Sequence, residues 1–408
     1  MKATLPSLFG AALICSTSLA APPDIDVMTQ NQYIGADLAP VLAAAAAPSF
    51  DAAAFNAAVV QALGKIAAGR PLQRAKALAA EIAKRNPDVV GLQEVYKLEC
   101  QPHPSAPAAP EKGCDDPSIR GAFRDRLADT EAALHGEYVV AGMVTNLQLA
   151  GIPFVVNGYP AVLAIADRDA ILVRKGLTAS WVDLTGLGVC AKPSDQGCNF
   201  QAAPPPVQTP LGPIAIERGF LAVDVAVRGR PYRVFNTHLE QRLLAPDQPA
   251  SRLLQVGQAM ELAGVAVGTW DGVRNVIAVG DFNSDPRDVI PSPPYPGGTP
   301  TPYMVFAFQY GFTDAWTMRP AGGDGLTCCQ AEDLTNRRSA LYERIDMVFS
   351  LQRPAKVLNM RLLGNTMGEK TRPPGHGGLW PSDHAALAAS LKFDRPFEER
   401  RAQLGTAQ

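Results

Sequence analysis

Two hydrophobic periods take turns along the chain. Residues 53–67 and 71–85 are alanine-rich, with Leu and Ile recurring at helical spacing, and predict two helices joined near Gly69. Asn86-Pro87 stops the second. Val89 to Leu92 is then short, continuous and apolar, the pattern of a buried strand. Residues 122–135 read as a helix. Residues 161–174 hold two apolar runs separated by Asp167-Arg168-Asp169 and predict a hairpin turning at that polar triplet. A second hairpin is expected from 220–227 and 231–237, joined by Arg-Gly-Arg. A helix over 250–267, a strand over Val276 to Val279, and strands over 344–349, 355–363 and 385–392 complete the set.

Many short strands with interspersed helices fit a mixed α/β (α+β) sandwich better than a repeating parallel unit. The Pro-rich stretches 191–213 and 285–303 read as surface loops, too short and too embedded to separate domains. One catalytic domain is expected over 24–393, followed by a charged tail at 394–408.

Composition changes this picture in three ways. At 408 residues, 47% hydrophobic and 19% charged, the chain can bury a large core and is not of the disordered class. Lys2, the apolar run from Leu8 to Ile14 and Ser-Leu-Ala at 18–20 describe a secretory leader over 1–21. That run is shorter than the ~20 apolar residues a bilayer span needs, and no later segment qualifies as a transmembrane helix. An exported protein, periplasmic or secreted, is expected. Six of the 7 cysteines lie beyond the leader. In an exported chain they favour disulfides, with Cys100–Cys114 and Cys190–Cys198 closing local loops. Cys328 and Cys329 are adjacent and could bridge each other or pair elsewhere; no C-x2-C spacing supports structural zinc. The net charge of −2 argues against a broad electrostatic grip on nucleic acid. A local patch of Arg242, Arg252, Arg337 and Arg338 stays open beside the simpler reading of solvated surface charge.

The candidate chemistry gathers where strands end. Val89 to Leu92 runs into Gln93-Glu94, and Tyr232 to Phe235 into Asn236-Thr237-His238. Val276 to Val279 runs into Gly280-Asp281-Phe282-Asn283. Arg344-Ile345-Asp346 precedes Met347-Val348-Phe349, and Ser382-Asp383-His384 precedes the last apolar run. Each has a structural reading when taken singly. Asp281 and Asn283 could stabilise a turn, Asn31 could cap one, and Asp346 could pair with Arg344. Together, Glu94, Asp281, Asp346 and Asp383 would concentrate like charges that cannot all ionise without a cation. Carboxylate and amide oxygens suit a hard ion: Mg²⁺, with Mn²⁺ or Ca²⁺ as alternatives.

The order Asn31, Gln93-Glu94, Asp169, Asn236-Thr237-His238, Gly280-Asp281-Phe282-Asn283, Arg344-Ile345-Asp346, Ser382-Asp383-His384 resembles the endonuclease/exonuclease/phosphatase superfamily, the DNase I-like fold. The resemblance implies a four-layer sandwich, two packed mixed β-sheets flanked by helices, and a divalent-metal-dependent phosphoric-ester hydrolase. It implies that Glu94 is the principal metal ligand, with Asn31 nearby and Asp383 close to the ion. Asp281 and Asn283 align the attacking water and the phosphate, and either Asp281 or His384 is the base. Asp346 orients His384, and His238 donates to a phosphate oxygen or aids the leaving group. Asp169 falls where the family often has an acidic or small residue. The family's aspartate shortly after the first asparagine is replaced here, since Tyr33 and Ile34 follow Gln32. The implied partner is a phosphoester: a lipid head group, nucleic acid or small phosphodiester. No stable protein partner is indicated. An inactive binding protein of the same fold is the alternative from another class.

Overall fold

The computed structural model describes residues 24–105, 112–210, 212–242, 249–288, 300–319, 322–371 and 377–394. The expected leader and all of the expected tail beyond Asp394 lie outside them.

The strands are β1 (Ile25–Asn31), β2 (Val89–Gln93), β3 (Lys97–Pro102), β4 (Tyr138–Val156), β5 (Tyr159–Arg174), β6 (Thr178–Trp181), β7 (Pro193–Ser194), β8 (Gly197–Asn199), β9 (Gly219–Val227), β10 (Arg230–His238), β11 (Asn275–Asp281), β12 (Thr313–Asp314), β13 (Asp346–Ser350), β14 (Lys356–Leu363) and β15 (Ala386–Lys392). They form two sheets. The first runs β14-β15-β1-β2-β5-β3, with β4 also on β5; the second runs β12-β13-β11-β10-β9-β8-β7, with β6 also on β9. Both are mixed. β1 is parallel to β2 and β10 to β11, while β1–β15 and β11–β13 are antiparallel.

Alternation along the strands builds four layers. Ile25 and Val27 of β1 join Val223, Val234, Ile277 and Val348 in the core between the sheets. Met28, on the opposite face, packs with Ala79, Ile82 and Leu127 of the helices α3 (Pro71–Arg85) and α4 (Arg126–Ala133), preceded in the chain by α1 (Ala39–Ala45) and α2 (Ala52–Ala68). Phe220, Phe235 and Ala278 of the second sheet pack outward against Ala259, Leu262 and Ala266 of α5 (Pro249–Gly268). This is the sandwich the sequence motifs implied. Among the described residues no single helix is long and apolar enough to cross a membrane.

Helix α3 starts and stops where its pattern says, with Pro at its first turn and Asn86 in the left-handed region at its end. Three expectations need correction. Residues 161–174 are not a hairpin: they lie in one strand, β5, and the turn falls between β4 and β5 at Asn157-Gly158. The triplet Asp167–Asp169 stays extended because it pairs with β4 along its length, at the place where the partner on the other side changes from β2 to β3. The helix over 122–135 shortens to α4, because Asp125 caps it by accepting from Leu127 N and Ala128 N. The strand over 344–349 begins only at Asp346, because Arg344 N and Ile345 N donate to the side chains of Asp285 and Thr327 instead of to a strand. Among the described residues the cysteines pair as Cys100–Cys114, Cys190–Cys198 and Cys328–Cys329.

Candidate active site

Parallel pairing sets the site at one edge. Asn31 is level with Gln93 across β1 and β2, and His238 with Asp281 across β10 and β11. Asp281 in turn faces Asp346 across β11 and β13, a like-charged pair that ordinary sheet packing avoids. The two sheets come unusually close just below. A Cβ on Gly91 would lie 2.4 Å from Asn236 Oδ1 and 2.6 Å from Val279 Cγ2. With glycine there, Asn236 reaches from the second sheet into the first: its amide donates to Leu92 O at 2.9 Å and Ala170 O at 3.1 Å and accepts from Gln93 Nε2 at 2.6 Å. Gly280 is also required, at φ +149° with Thr237 O 2.1 Å from where a Cβ would stand.

All eight candidate residues converge. Asn31 Nδ2 donates to Glu94 Oε1 at 3.2 Å and to Asp281 Oδ2 at 3.0 Å. Asp281 Oδ2 is also 3.5 Å from His238 Nε2 and 3.8 Å from His384 Nε2. His384 Nδ1 bonds Asp346 Oδ2 at 2.8 Å, and its Nε2 lies 4.0 Å from Asp383 Oδ1. Asn283 Nδ2 is 3.1 Å from His238 Nε2, and Asn283 N donates to Asp281 Oδ1 at 2.9 Å. Glu94 and Asn283 both hold left-handed backbone, φ +55° and +46°, which costs about 1–3 kcal/mol each and recurs at functional sites. Arg344 pairs with Asp314 at 2.7 Å, not with Asp346, so the ion-pair reading of Asp346 is set aside.

Electrostatics separates the titrating groups. Burial and the neighbouring Asp346 raise Asp281 to about 7. Burial and Glu94 raise Asp383 to about 6. Burial alone would lower the His384 imidazole, but Asp346, Asp383 and Asp281 outweigh it and hold the ring well above its ordinary value. His238 goes the other way. Burial lowers it well below the ordinary range, helped by Arg218, whose Nη1 sits 3.1 Å from His238 Nδ1. Arg218 can only donate, so Nδ1 of the neutral ring accepts and Nε2–H faces Asp281 Oδ2 at 3.5 Å.

The donor set fits a hard divalent cation. Glu94, Asn31 and Asp383 offer carboxylate and amide oxygens, and beside them Asp346 Oδ1 is buried without a partner and Asp281, Asp346 and His384 bring two carboxylates and an imidazole within 4.8 Å of one another.

The sequence profile of the Endonuclease/Exonuclease/phosphatase family matches residues 54–384, ending on His384. The chain belongs to this family. Similar solved structures include truncated TDP2 from Caenorhabditis elegans, 17% identical with a TM-score of 0.45, covering 90% of this chain and 97% of that one. They also include a mannosyl-6-phosphatase from Bacteroides thetaiotaomicron, at 15% and 0.48, covering 90% and 100%. A third is an endonuclease/exonuclease/phosphatase from Beutenbergia cavernae, at 18% and 0.47, covering 91% and 72%. Likeness at this level carries nothing about substrate. No curated protein matches the chain in sequence. As an endonuclease/exonuclease/phosphatase protein it is of phosphoester-hydrolase type, and members of the family typically use divalent metals.

Asp169 falls on one of the motifs, whereas Arg168, Arg74 and Arg126 are residues that the motifs did not point to. Asp169 is wholly buried behind Glu94, accepts from Asn146 Nδ2 at 2.9 Å and is raised to about 7, chiefly by burial. Beside it Arg168 Nε donates to Val95 O at 3.0 Å and steadies the Glu94 bend. Arg74 is fully buried; Nη1 donates to Gln32 O at 3.0 Å and Pro381 O at 3.1 Å, and Nη2 to Tyr33 O at 2.9 Å. It ties the loop after β1 to the segment before Asp383, and Arg126 adds a bond to Ile34 O at 2.5 Å. A signal for Arg74 was present: it interrupts the buried stripe Pro71, Ala75, Leu78, Ala79, Ile82 of α3. The proposed basic patch has no such focus. Arg242 is engaged with Asp288 and Glu343, while Arg337 and Arg338 are exposed.

Proposed function

We propose that the protein is an exported, divalent-metal-dependent phosphodiesterase. The observation that carries the reading is the convergence on Asp281 Oδ2 of Asn31, His238 and His384, drawn from both sheets. Glu94, Asn31 and Asp383 would hold Mg²⁺, or Mn²⁺ or Ca²⁺ in its place. Such an ion, when bound, neutralises charge on the phosphate oxygens.

The chain's own groups divide the remaining work. His384, ringed by Asp346, Asp281 and Asp383, is an imidazolium, so it offers Nε2–H to a phosphate oxygen as charge grows there. That leaves Asp281 to take the proton of the attacking water. Asn283 orients water and phosphate. His238, 1% exposed, acts by holding Asp281 in place through Nε2.

The test is hydrolysis of double-stranded DNA, sphingomyelin and a chromogenic bis-phosphodiester, each with Mg²⁺ and with EDTA. Turnover of at least one substrate that EDTA abolishes supports the reading, and the substrate cut names the class. Turnover indifferent to EDTA overturns the metal mechanism. Calorimetric metal binding with no turnover on any of the three favours the inactive binding protein. Intact mass of secreted material, with residues 1–21 missing, tests export.

A further inference from the structure

The short segment Thr327 to Gln330 is wedged between the catalytic edges of the two sheets. Thr327 Oγ1 accepts from Ile345 N and Asp346 N, each at 3.1 Å, and Thr327 O accepts from Ala385 N at 2.8 Å. Cys328 bridges to both Glu343 and His384, and Gln330 N donates to Asp383 O at 2.8 Å. This segment therefore links Asp346 on the second sheet to Asp383 and His384 on the first. Cys328 and Cys329 sit in its middle. Cys328 is 2% exposed and Cys329 half-buried, so reagents reach the pair through Cys329. Their sulfurs lie within 4.8 Å of each other and of a ring nitrogen of His384. The hydrolytic reading uses neither cysteine.

Two sulfurs and an imidazole make a soft donor set, unlike the oxygens on the other side of His384. Joined as a disulfide, the sulfurs carry no charge to offer. A dithiol reductant supplies two electrons and two protons: the S–S bond breaks, two thiols form and the reductant leaves as its own disulfide. A soft dication then binds both sulfurs as thiolates and a ring nitrogen of His384, releasing the two thiol protons and the imidazolium's ring proton to solvent. We propose that the reduced Cys328/Cys329 pair and His384 form a site for a thiophilic dication of the Zn²⁺ or Cd²⁺ kind, and that filling it halts turnover. Both ring nitrogens of His384 already face carboxylates, so a metal bond to either displaces the imidazole from its place in the reaction. The inhibitory half rests on the role proposed above for His384; the binding half does not.

The experiment uses the full-length protein, reduced with dithiothreitol, desalted without air and titrated with Cd²⁺. Ultraviolet cadmium–thiolate absorbance reads binding, and Mg²⁺-supported turnover reads the consequence. The expected result is one Cd²⁺ bound per reduced chain, with turnover falling about tenfold or more. The air-oxidised protein shows no band and no loss at the same Cd²⁺. Cys328→Ser/Cys329→Ser loses the band and keeps turnover after reduction, whereas Cys100→Ser/Cys114→Ser and Cys190→Ser/Cys198→Ser behave as wild type. Should the serine pair fail to fold, His384→Ala serves instead: it keeps both thiols, and its Cd²⁺ affinity falls about tenfold or more, as expected for a lost ligand contact. No band in the reduced protein, or an unchanged band in Cys328→Ser/Cys329→Ser, overturns the site. A bound Cd²⁺ with full turnover overturns the inhibition. A protein inactive on every phosphoester leaves the absorbance test of the site intact.

Discussion

Replacing Asp346 with asparagine removes one charge and keeps the shape. Asp346 is wholly buried, and its Oδ2 receives the His384 Nδ1 proton at 2.8 Å. A hydrogen bond between charged partners contributes ~1.5–3 kcal/mol. At about 1.4 kcal/mol per factor of ten, losing it from the transition state lowers turnover about 10- to 150-fold. Stability should move little. The variant loses the ion pair with His384 but also relieves repulsion from Asp281, which lies directly opposite Asp346 across the sheet. The backbone donors from Ile345 and Asp346 to Thr327 Oγ1 remain. The assay is kcat on a chromogenic bis-phosphodiester at saturating Mg²⁺, with thermal unfolding beside it, for Asp346→Asn, His384→Ala and the double variant. If Asp346 works through His384, then Asp346→Asn costs almost nothing further once His384 is alanine. An equal loss in both backgrounds refutes that reasoning, and so does a single-variant loss below threefold.

Three further outcomes follow from the same geometry. Glu94→Ala should abolish most activity with little change in melting temperature, since Glu94 is half-buried and serves the loop after β1 by accepting from Ile34 N at 2.9 Å; a large drop in melting temperature without metal would make it structural. Gly91→Ala should destabilise the fold by about 4–6 kcal/mol, from ~1–3 for overpacking and ~1 for each of the three inter-sheet bonds of Asn236. Unfolding in denaturant measures it, and an unchanged midpoint would contradict the close approach of the sheets. Glu81 is buried with both carboxylate oxygens unpartnered, and burial raises it well above its ordinary value. Stability from its protonated form is complete below the unfolded value of about 4.3 and is lost as pH rises through the raised folded value. Glu81→Gln should therefore gain melting temperature at pH 8 and none at pH 4; an equal gain at both would place the effect elsewhere.

Much of the site was legible because its chemistry sits beside strong local patterns. Asn31, Glu94, His238, Asp281 and Asp346 lie at or next to strand ends, and Asp383-His384 lies just before β15, so apolar runs point to them. Helix α3 was legible for the same reason, its stripe, proline and Asn86 all agreeing. The polar triplet in β5 was misread, because three charged residues in an apolar run look like a turn when nothing shows what pairs with them. Asp169 and Arg168 are held extended by β4 and serve as the floor under Glu94.

Sequence alone determined most of the elements, the order of the motifs and the kind of donor atoms available, because those depend on neighbours a few positions away. Tertiary structure alone decided that Asn236 would stitch one sheet to the other and that Arg74 would clamp two loops. It also decided that two adjacent cysteines would rest against His384. Each of these joins residues dozens to hundreds of positions apart, and only the packing of the two sheets brings them within bonding distance.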